Sequence, residues 1–377
     1  MEFELKEEHL RFRNKIREFA LNEIAPIAEE IDKNSSFPWK TIKKMANMKI
    51  LGLPIPEEYG GAGLDNLSYI IAVEEVSRVC GSTGLTLAAH TSLAMEHIYQ
   101  NGNEEQKKKY LVPLAKGEKI GAWSLTEPEA GSDAGSIKTT AFLDGNEYVL
   151  NGSKVFATNG SIADIVVVMA STDIGKGAKG ISSFVVEKGT EGFTYGRNED
   201  KLGLKGSITS QLFFDNCRIP KENILGKEGE GYRATMRILD GGRISIGAMA
   251  LGIAQASLDA SIEFLKKKKN FGEGYEIARS IVAQMFAEVE AGRLLVYKSA
   301  ILKDKKRPHK IESAIAKLFC SEVAVRSASN AIQLYGYEGY TRAHKVERYL
   351  RDAKLCEIGE GTSEIQRLVI AREILGG

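Results

Sequence analysis

Near the end of this 377-residue chain, one carboxylate, Glu360, stands between Gly359 and Gly361 and is followed by Thr362 and Ser363. These residue types at this spacing can do proton chemistry. Glycines let backbone approach a ligand closely, a helix start offers unpaired N–H groups, and the carboxylate can accept a proton. Thr362 and Ser363 predict a helix start, with Ser363-x-x-Gln366 read as a capping box. An acid at such a place can also do no more than balance the helix macrodipole. The rest of the chain has to decide.

Three further stretches hold candidate chemistry. Ala122 to Ala141, AWSLTEPEAGSDAGSIKTTA, begins as an apolar strand and passes into a loop of small residues, where backbone amides and hydroxyls can converge on a polar ligand. Asn151 to Gly160 reads NGSKVFATNG, and Leu239-Asp240-Gly241-Gly242-Arg243 precedes a long helical pattern. Other signals carry less. Gly226, Gly229 and Gly231 match neither phosphate-binding fingerprint, Lys266 to Lys269 reads as a solvated helix end, and His90 and His97 lack a third metal ligand.

Taken together, these stretches resemble one family. RDAK, EGTSEIQR and VIARE (residues 351–373) are similar to the C-terminal signature of the acyl-CoA dehydrogenases, and LTEPEAGSD (residues 125–133) is similar to their flavin-binding signature. The resemblance runs from about Glu8 to Ile374, with four motifs in order. It implies the acyl-CoA dehydrogenase fold: an N-terminal helical domain, a middle antiparallel β domain and a C-terminal four-helix bundle. It implies FAD as cofactor and Glu360 as the base that removes the α-proton of an acyl-CoA thioester while the β-hydrogen leaves as hydride to flavin N5. A branch of the family places its base immediately before the Arg of the third motif. Gly242 stands there in this chain, so the base is expected at Glu360.

By the same resemblance, Trp123, Leu125, Thr126, Ser132, Phe156 and Thr158 face the flavin, with Ser132 also near the thioester. Asp240, Arg243 and Gly361 belong to the acyl-CoA side. Lys268, Phe271, Arg279, Gln333, Gly336, Tyr337, Thr362 and Glu364 fall where the family meets the rest of FAD. Three of these places, and one beside Glu360, depart from the usual pattern. Lys268 replaces an Arg, Arg279 a Gln and Tyr337 a Gly, while Gly359 replaces the Tyr before the base. Lys lacks the planar two-pronged phosphate donor of Arg, and Tyr adds bulk where backbone would approach a pyrophosphate. Weakened FAD binding, or an adenosine half held differently, with the isoalloxazine side nearly standard, is therefore expected. The wording is most like short-chain (butyryl-type) members, and an electron-transfer flavoprotein is the implied electron acceptor. Two alternatives stay open: a hydroxyacyl-CoA dehydratase on the same fold, suggested by the room beside Gly359, and a non-redox binding protein that has lost tight FAD.

Positioning such groups needs several elements. Phe12, Ile16 and Phe19 recur at helical spacing, and the pattern stays helical to about residue 118. From 119 to 225 it changes to β-rich runs, IVVVMA, ISSFVVE and SQLFFDNCRI, with turn signals at Asp144-Gly145 and Asn151-Gly152. From 226 to 377 helical periodicity returns, as in Ile281, Met285, Val289, Gly292 and Val296, and in Ile315, Leu318, Val325, Ala328 and Ile332. The expected domains are thus 1–118, 119–225 and 226–377, assembled by the resemblance as a homotetramer or dimer. Net charge is +1, which gives no support for a nucleic-acid or anionic-membrane partner. The N-terminus reads as neither signal nor transit peptide, and no apolar segment long enough to span a bilayer is expected, the longest candidates being short stretches such as Ile165 to Ala170. Cys80, Cys217, Cys320 and Cys356 are scattered, so a reducing cytosol is the expected home.

Overall fold

The computed structural model describes residues 5–268 and 274–376. The N-terminal part holds helices α1 (Glu7–Phe19), α2 (Ala28–Asn34), α3 (Trp39–Asn47), α4 (Asn66–Val79) and α5 (Gly81–Ala88). A π-helical stretch, Ala89–Met95, carries α5 into α6 (Glu96–Asn101), followed by the short α7 (Glu104–Gln106) and α8 (Val112–Ala115). The breaks follow their residues: Pro38 caps the start of α3, and Asp65 caps α4 by accepting the Ser68 N–H at 2.8 Å.

Eight strands follow: β1 (Gly121–Ser124), β2 (Thr140–Asp144), β3 (Glu147–Thr158), β4 (Ile165–Ser171), β5 (Ile181–Glu187), β6 (Phe193–Asn198), β7 (Thr209–Pro220) and β8 (Ile224–Leu225). They form one sheet in the order β6-β7-β3-β2-β4-β5-β8, with β1 beside β4. Most pairs are antiparallel, but β1 and β2 both run parallel to β4, so the sheet is mixed. Every residue of β4 is buried. Ile165, Val167 and Met169 pack toward the N-terminal helices, whereas Val166, Val168 and Ala170 pack within the sheet domain, which is why IVVVMA does not alternate.

The two turn signals part company here. Asp144-Gly145 does close the β2–β3 hairpin, with Gly145 at φ +63°. Asn151-Gly152 makes no turn. It lies inside β3 at a register shift, where Gly152 adopts φ +144° and a Cβ would overlap Thr139.

The C-terminal part packs α9 (Gly231–Lys267), α10 (Tyr275–Asp304), α11 (Lys310–Tyr335) and α12 (Val346–Ile358) together, with α13 (Ser363–Leu375) against α11. On α10 the expected residues Met285, Val289, Gly292 and Val296 are buried. On α11 the expected Ala328 is buried, but most of the buried face is made of small residues and one lysine, among them Ala314, Ala316, Lys317, Cys320 and Ala324, with Val323 and Leu334. Ile315, Leu318 and Ile332 are only half-buried. Small side chains let α11 lie close to α9. Contrary to the expectation of no apolar segment of bilayer length, helix α9 is long and apolar enough to cross a membrane, yet 89% of its most apolar stretch is buried inside the protein.

One continuous core joins the N-terminal helices to the C-terminal bundle. A buried carboxylate crosses the same seam: Glu74 on α4 accepts from Arg293 at 3.1 Å and from the Tyr297 hydroxyl at 2.6 Å on α10, while its neighbour Glu75 accepts from Arg17 on α1 at 2.9 Å within the N-terminal part. Each buried acid is thereby compensated. The loop between α12 and α13 is consequently set against both α9 and α11.

Candidate active site

Helix α12 ends at Ile358, and the four residues 359–362 turn the chain into α13. Glu360 adopts φ +52° and Gly361 φ +88°, two successive left-handed residues. For a glutamate this conformation is uncommon and costs on the order of 1 kcal/mol. The capping differs from the sequence expectation. Thr362 is the cap, its hydroxyl accepting the Ile365 N–H at 3.3 Å, and Ser363 already lies in the helix. Gln366 does not complete a capping box. Its amide donates to the carbonyls of Gly361 at 2.9 Å and Glu360 at 3.4 Å. A second donor reaches the same place: Lys317 Nζ lies 2.6 Å from the Gly361 oxygen.

The Glu360 carboxylate enters a space that only glycine leaves open. A Cβ on Gly242 would collide with Glu360 Oε2 and come within 3.0 Å of Leu93. Among the described residues Oε2 is buried with no hydrogen-bond partner. Burial pushes the Glu360 pKa up to about 7, against the opposing pull of Lys317 and Arg243. Arg243 is itself buried and donates to Asp240 at 2.6 Å. Burial lowers the pKa of Arg243 and raises that of Asp240. Glu360, Gly242, Arg243 and Asp240 thus share one electrostatic neighbourhood.

A second wall is built from β1 and β3. Val155 N–H donates to the Thr126 carbonyl at 2.9 Å, and β3 bulges between Lys154 and Ala157. The bulge holds Phe156 at φ +56° with 66% of its surface exposed, while Thr158 beyond it is half-buried. Beneath this wall lies a buried ion pair. Lys154 Nζ donates to Glu127 Oε1 at 2.7 Å and to the Leu125 carbonyl at 3.0 Å, and Glu127 also accepts the Lys138 and Thr139 N–H groups. Lys154 and Glu127 were not singled out in the sequence, because charged residues are ordinarily read as exposed.

Trp123 links the two walls. Its indole donates to His97 Nδ1 at 3.1 Å, and its ring packs on the cluster of Ala89, Leu93 and Ile238 beside Gly242. His97 is buried with its pKa pushed down to about 3, and His90 bridges the Gly121 N–H and the Leu114 carbonyl. Both imidazoles therefore serve the packing of β1. Ser132 stands exposed on the loop after β1. Among the described residues no hydrogen bond ties it to Glu360.

The remaining candidates gather elsewhere. Thr362 and Glu364 line a pocket of about 220 Å3 with Lys354, Ile358 and Arg367. Arg279 pairs with Glu276 at 3.0 Å and lines an apolar groove of about 430 Å3 between α9 and α10. The Lys268 ammonium sits 5.0 Å from the centre of the Phe264 ring, which stacks on Tyr335 near the end of α11. Gln333 and Gly336 are exposed there, and Tyr337 is 83% exposed. Phe271 lies outside the described residues.

The raised Glu360 pKa fixes a stability prediction. Below its ordinary value of 4.5 the group is protonated whether folded or unfolded. As pH rises to about 7 the unfolded chain loses this proton first, so folding becomes less favourable. Glu360→Gln, which never ionises, is expected to be more stable than the native chain at alkaline pH, by on the order of 3 kcal/mol. The advantage should vanish in acid, and thermal melts at both pH values check it.

Comparison with known proteins agrees along the whole chain. Residues 6–118, 122–217 and 229–375 match the models for the acyl-CoA dehydrogenase N-terminal, middle and C-terminal domains. The chain is 51% identical over 377 residues to a short-chain specific acyl-CoA dehydrogenase of Clostridium acetobutylicum, covering 99% of this chain and 100% of the relative. It superimposes on butyryl-CoA dehydrogenase from Megasphaera elsdenii with a TM-score of 0.97 and 42% identity, covering all of both chains. It also matches a chain in the structure described as "Electron transferring flavoprotein of Acidaminococcus fermentans: Towards a mechanism of flavin-based electron bifurcation", with a TM-score of 0.98, 47% identity and full coverage of both chains. With all three domains matched in order and half its residues shared with a full-length relative, this chain belongs to the acyl-CoA dehydrogenase family.

Proposed function

We infer that this protein catalyses the FAD-dependent α,β-dehydrogenation of a short-chain acyl-CoA, giving the trans-2-enoyl-CoA, with Glu360 as the base. The observation that carries the reading is the Glu360 carboxylate: buried, without a hydrogen-bond partner at Oε2 among the described residues, and of near-neutral proton affinity. A base poised near the working pH is what removal of a weakly acidic α-proton needs. Gly242 supplies the space for it. The Glu360 N–H is assigned to the thioester oxygen, where a donor is worth on the order of 3 kcal/mol as enolate charge develops. Asp240 and Arg243 are assigned to the acyl-CoA side. The short-chain reading leans on the names of the relatives.

The residues of the second wall fit FAD. A planar ring system needs an aromatic face and nearby backbone, and the bulge presents Phe156 outward beside Thr126. Trp123, Leu125, Thr126, Ser132, Phe156 and Thr158 are assigned to that half, and Thr362 and Glu364 to the helix start beside it. When bound, FAD accepts the β-hydrogen with its electron pair. The chain's own residues orient the thioester, exclude water and take the α-proton. An electron-transfer flavoprotein is the proposed electron acceptor, in line with the name of one matched structure. A homotetramer is proposed, with Lys268, Phe271, Arg279, Gln333, Gly336 and Tyr337 meeting the adenosine half of FAD. Domain limits of 1–118, 119–225 and 226–377, and a cytoplasmic location, complete the reading. The relatives do not favour the dehydratase or non-redox alternatives.

Glu360→Gln is expected to lose turnover by roughly 10³-fold while flavin and acyl-CoA still bind. Turnover of the native enzyme should rise with pH through about 7, as Glu360 ionises. Gly242→Ala, which displaces the carboxylate, should lose about 100-fold with flavin retained. Steady-state rates and bound-flavin absorbance report all three. Tyr337→Gly combined with Arg279→Gln should tighten FAD; an affinity unchanged in equilibrium titration removes the weakened-pocket reading.

A further inference from the structure

The Lys317 side chain is fully buried on α11, among Ala314, Ala316, Cys320 and Ala324. An ammonium is costly to bury, and packing alone would be better met by methionine. Among the described residues, its hydrogen bond to another element runs to the Gly361 carbonyl, 2.6 Å away. That carbonyl belongs to the second of two left-handed residues, the first being Glu360. Among the described residues Lys317 forms no ion pair, whereas Arg243, the other cation near the base, is committed to Asp240. We propose that Lys317 is the positioning residue of the base: it clamps the Glu360–Gly361 turn through the Gly361 carbonyl and lends its positive charge to the ionised form of Glu360.

This inference rests on Glu360 as the base. Gln366, donating to the same carbonyl from α13, supplies a second clamp without charge. Charged and titratable groups approach the turn from several helices, and α10 places Lys303, paired with Glu96 at 3.1 Å, beside Gly241. Helix α9 contributes Arg243 with Asp240, α4 contributes Tyr69, α12 contributes Cys356 and Glu357 beside Lys317, and the π-helical stretch contributes only the apolar Leu93 next to Gly242. Glu364 at the start of α13 is exposed. Burial lowers the Lys317 pKa to about 8, opposed by Cys356 and Glu360, so the charge is present at neutral pH and fades in alkali.

The test is the rate of flavin reduction by butyryl-CoA in the holoenzyme as a function of pH, for the native chain and for Lys317→Met, Lys317→Gln and Lys317→Arg. Without the charge, the proton affinity of Glu360 rises. The acid limb of the Met and Gln variants should therefore move to higher pH by roughly 1 unit or more, and their rates should approach the native rate in alkali. Lys317→Arg should keep the native limb. Flavin content and melting temperature show which variants are folded, and either neutral variant suffices. A limb that stays in place in a folded neutral variant overturns the proposal, even if the rate falls equally at all pH values. Glu360→Gln in the same assay separates the two readings: fast flavin reduction there removes the base itself, whereas its loss beside an unmoved Lys317→Met limb removes only Lys317.

Discussion

Burying a carboxylate that must remain able to ionise is the constraint on which this site depends. Left alone in an apolar interior, Glu360 would hold its proton far too tightly to act as a base. Left in water, it would be too weak a base for a thioester α-proton. The structure lies between these limits, with a pKa of about 7 set first by burial and then moderated by Lys317 and Arg243. Each neighbour bears on that balance. Gly242 makes room, the left-handed turn aims the side chain, and Gln366 holds the turn from the opposite helix.

The same logic explains why the three parts of the chain are not independent. The Glu360 loop hangs between α12 and α13, but its position comes from α9 and α11. Those helices share a core with the N-terminal domain and are tied to it through Glu74 and Arg293. The sheet joins through Trp123, whose ring meets Leu93 near Glu360 and whose strand leads into the segment of Thr126. A small shift at any of these seams would move the base relative to the second wall, and the chemistry tolerates little such movement.

Much of this was legible in the sequence, and the failures have physical causes. The order of helices, sheet and helices follows from the change of period, and the Glu360 neighbourhood from a resemblance in four motifs. Lys317 was missed because a lysine in a helical pattern is ordinarily solvated, and the alanines around it do not make an aliphatic stripe. Asn151-Gly152 looked like a hairpin turn, yet tertiary pairing with β7 carried the strand through it as a bulge. The capping box failed because the Gln366 side chain is taken by the base loop's carbonyls. Lys154 and Glu127 were hidden for the reason that hid Lys317: their pairing is long-range, and no local pattern announces it.

The central claim is that a buried base and a bound flavin act together on an acyl-CoA thioester. The most direct measurement is the visible absorption spectrum of the purified protein, saturated with FAD and then mixed with butyryl-CoA under anaerobic conditions. The account predicts a flavin band that bleaches rapidly on mixing. A band that persists unbleached with butyryl-CoA and other short acyl-CoA thioesters, in protein that retains its FAD, would contradict it.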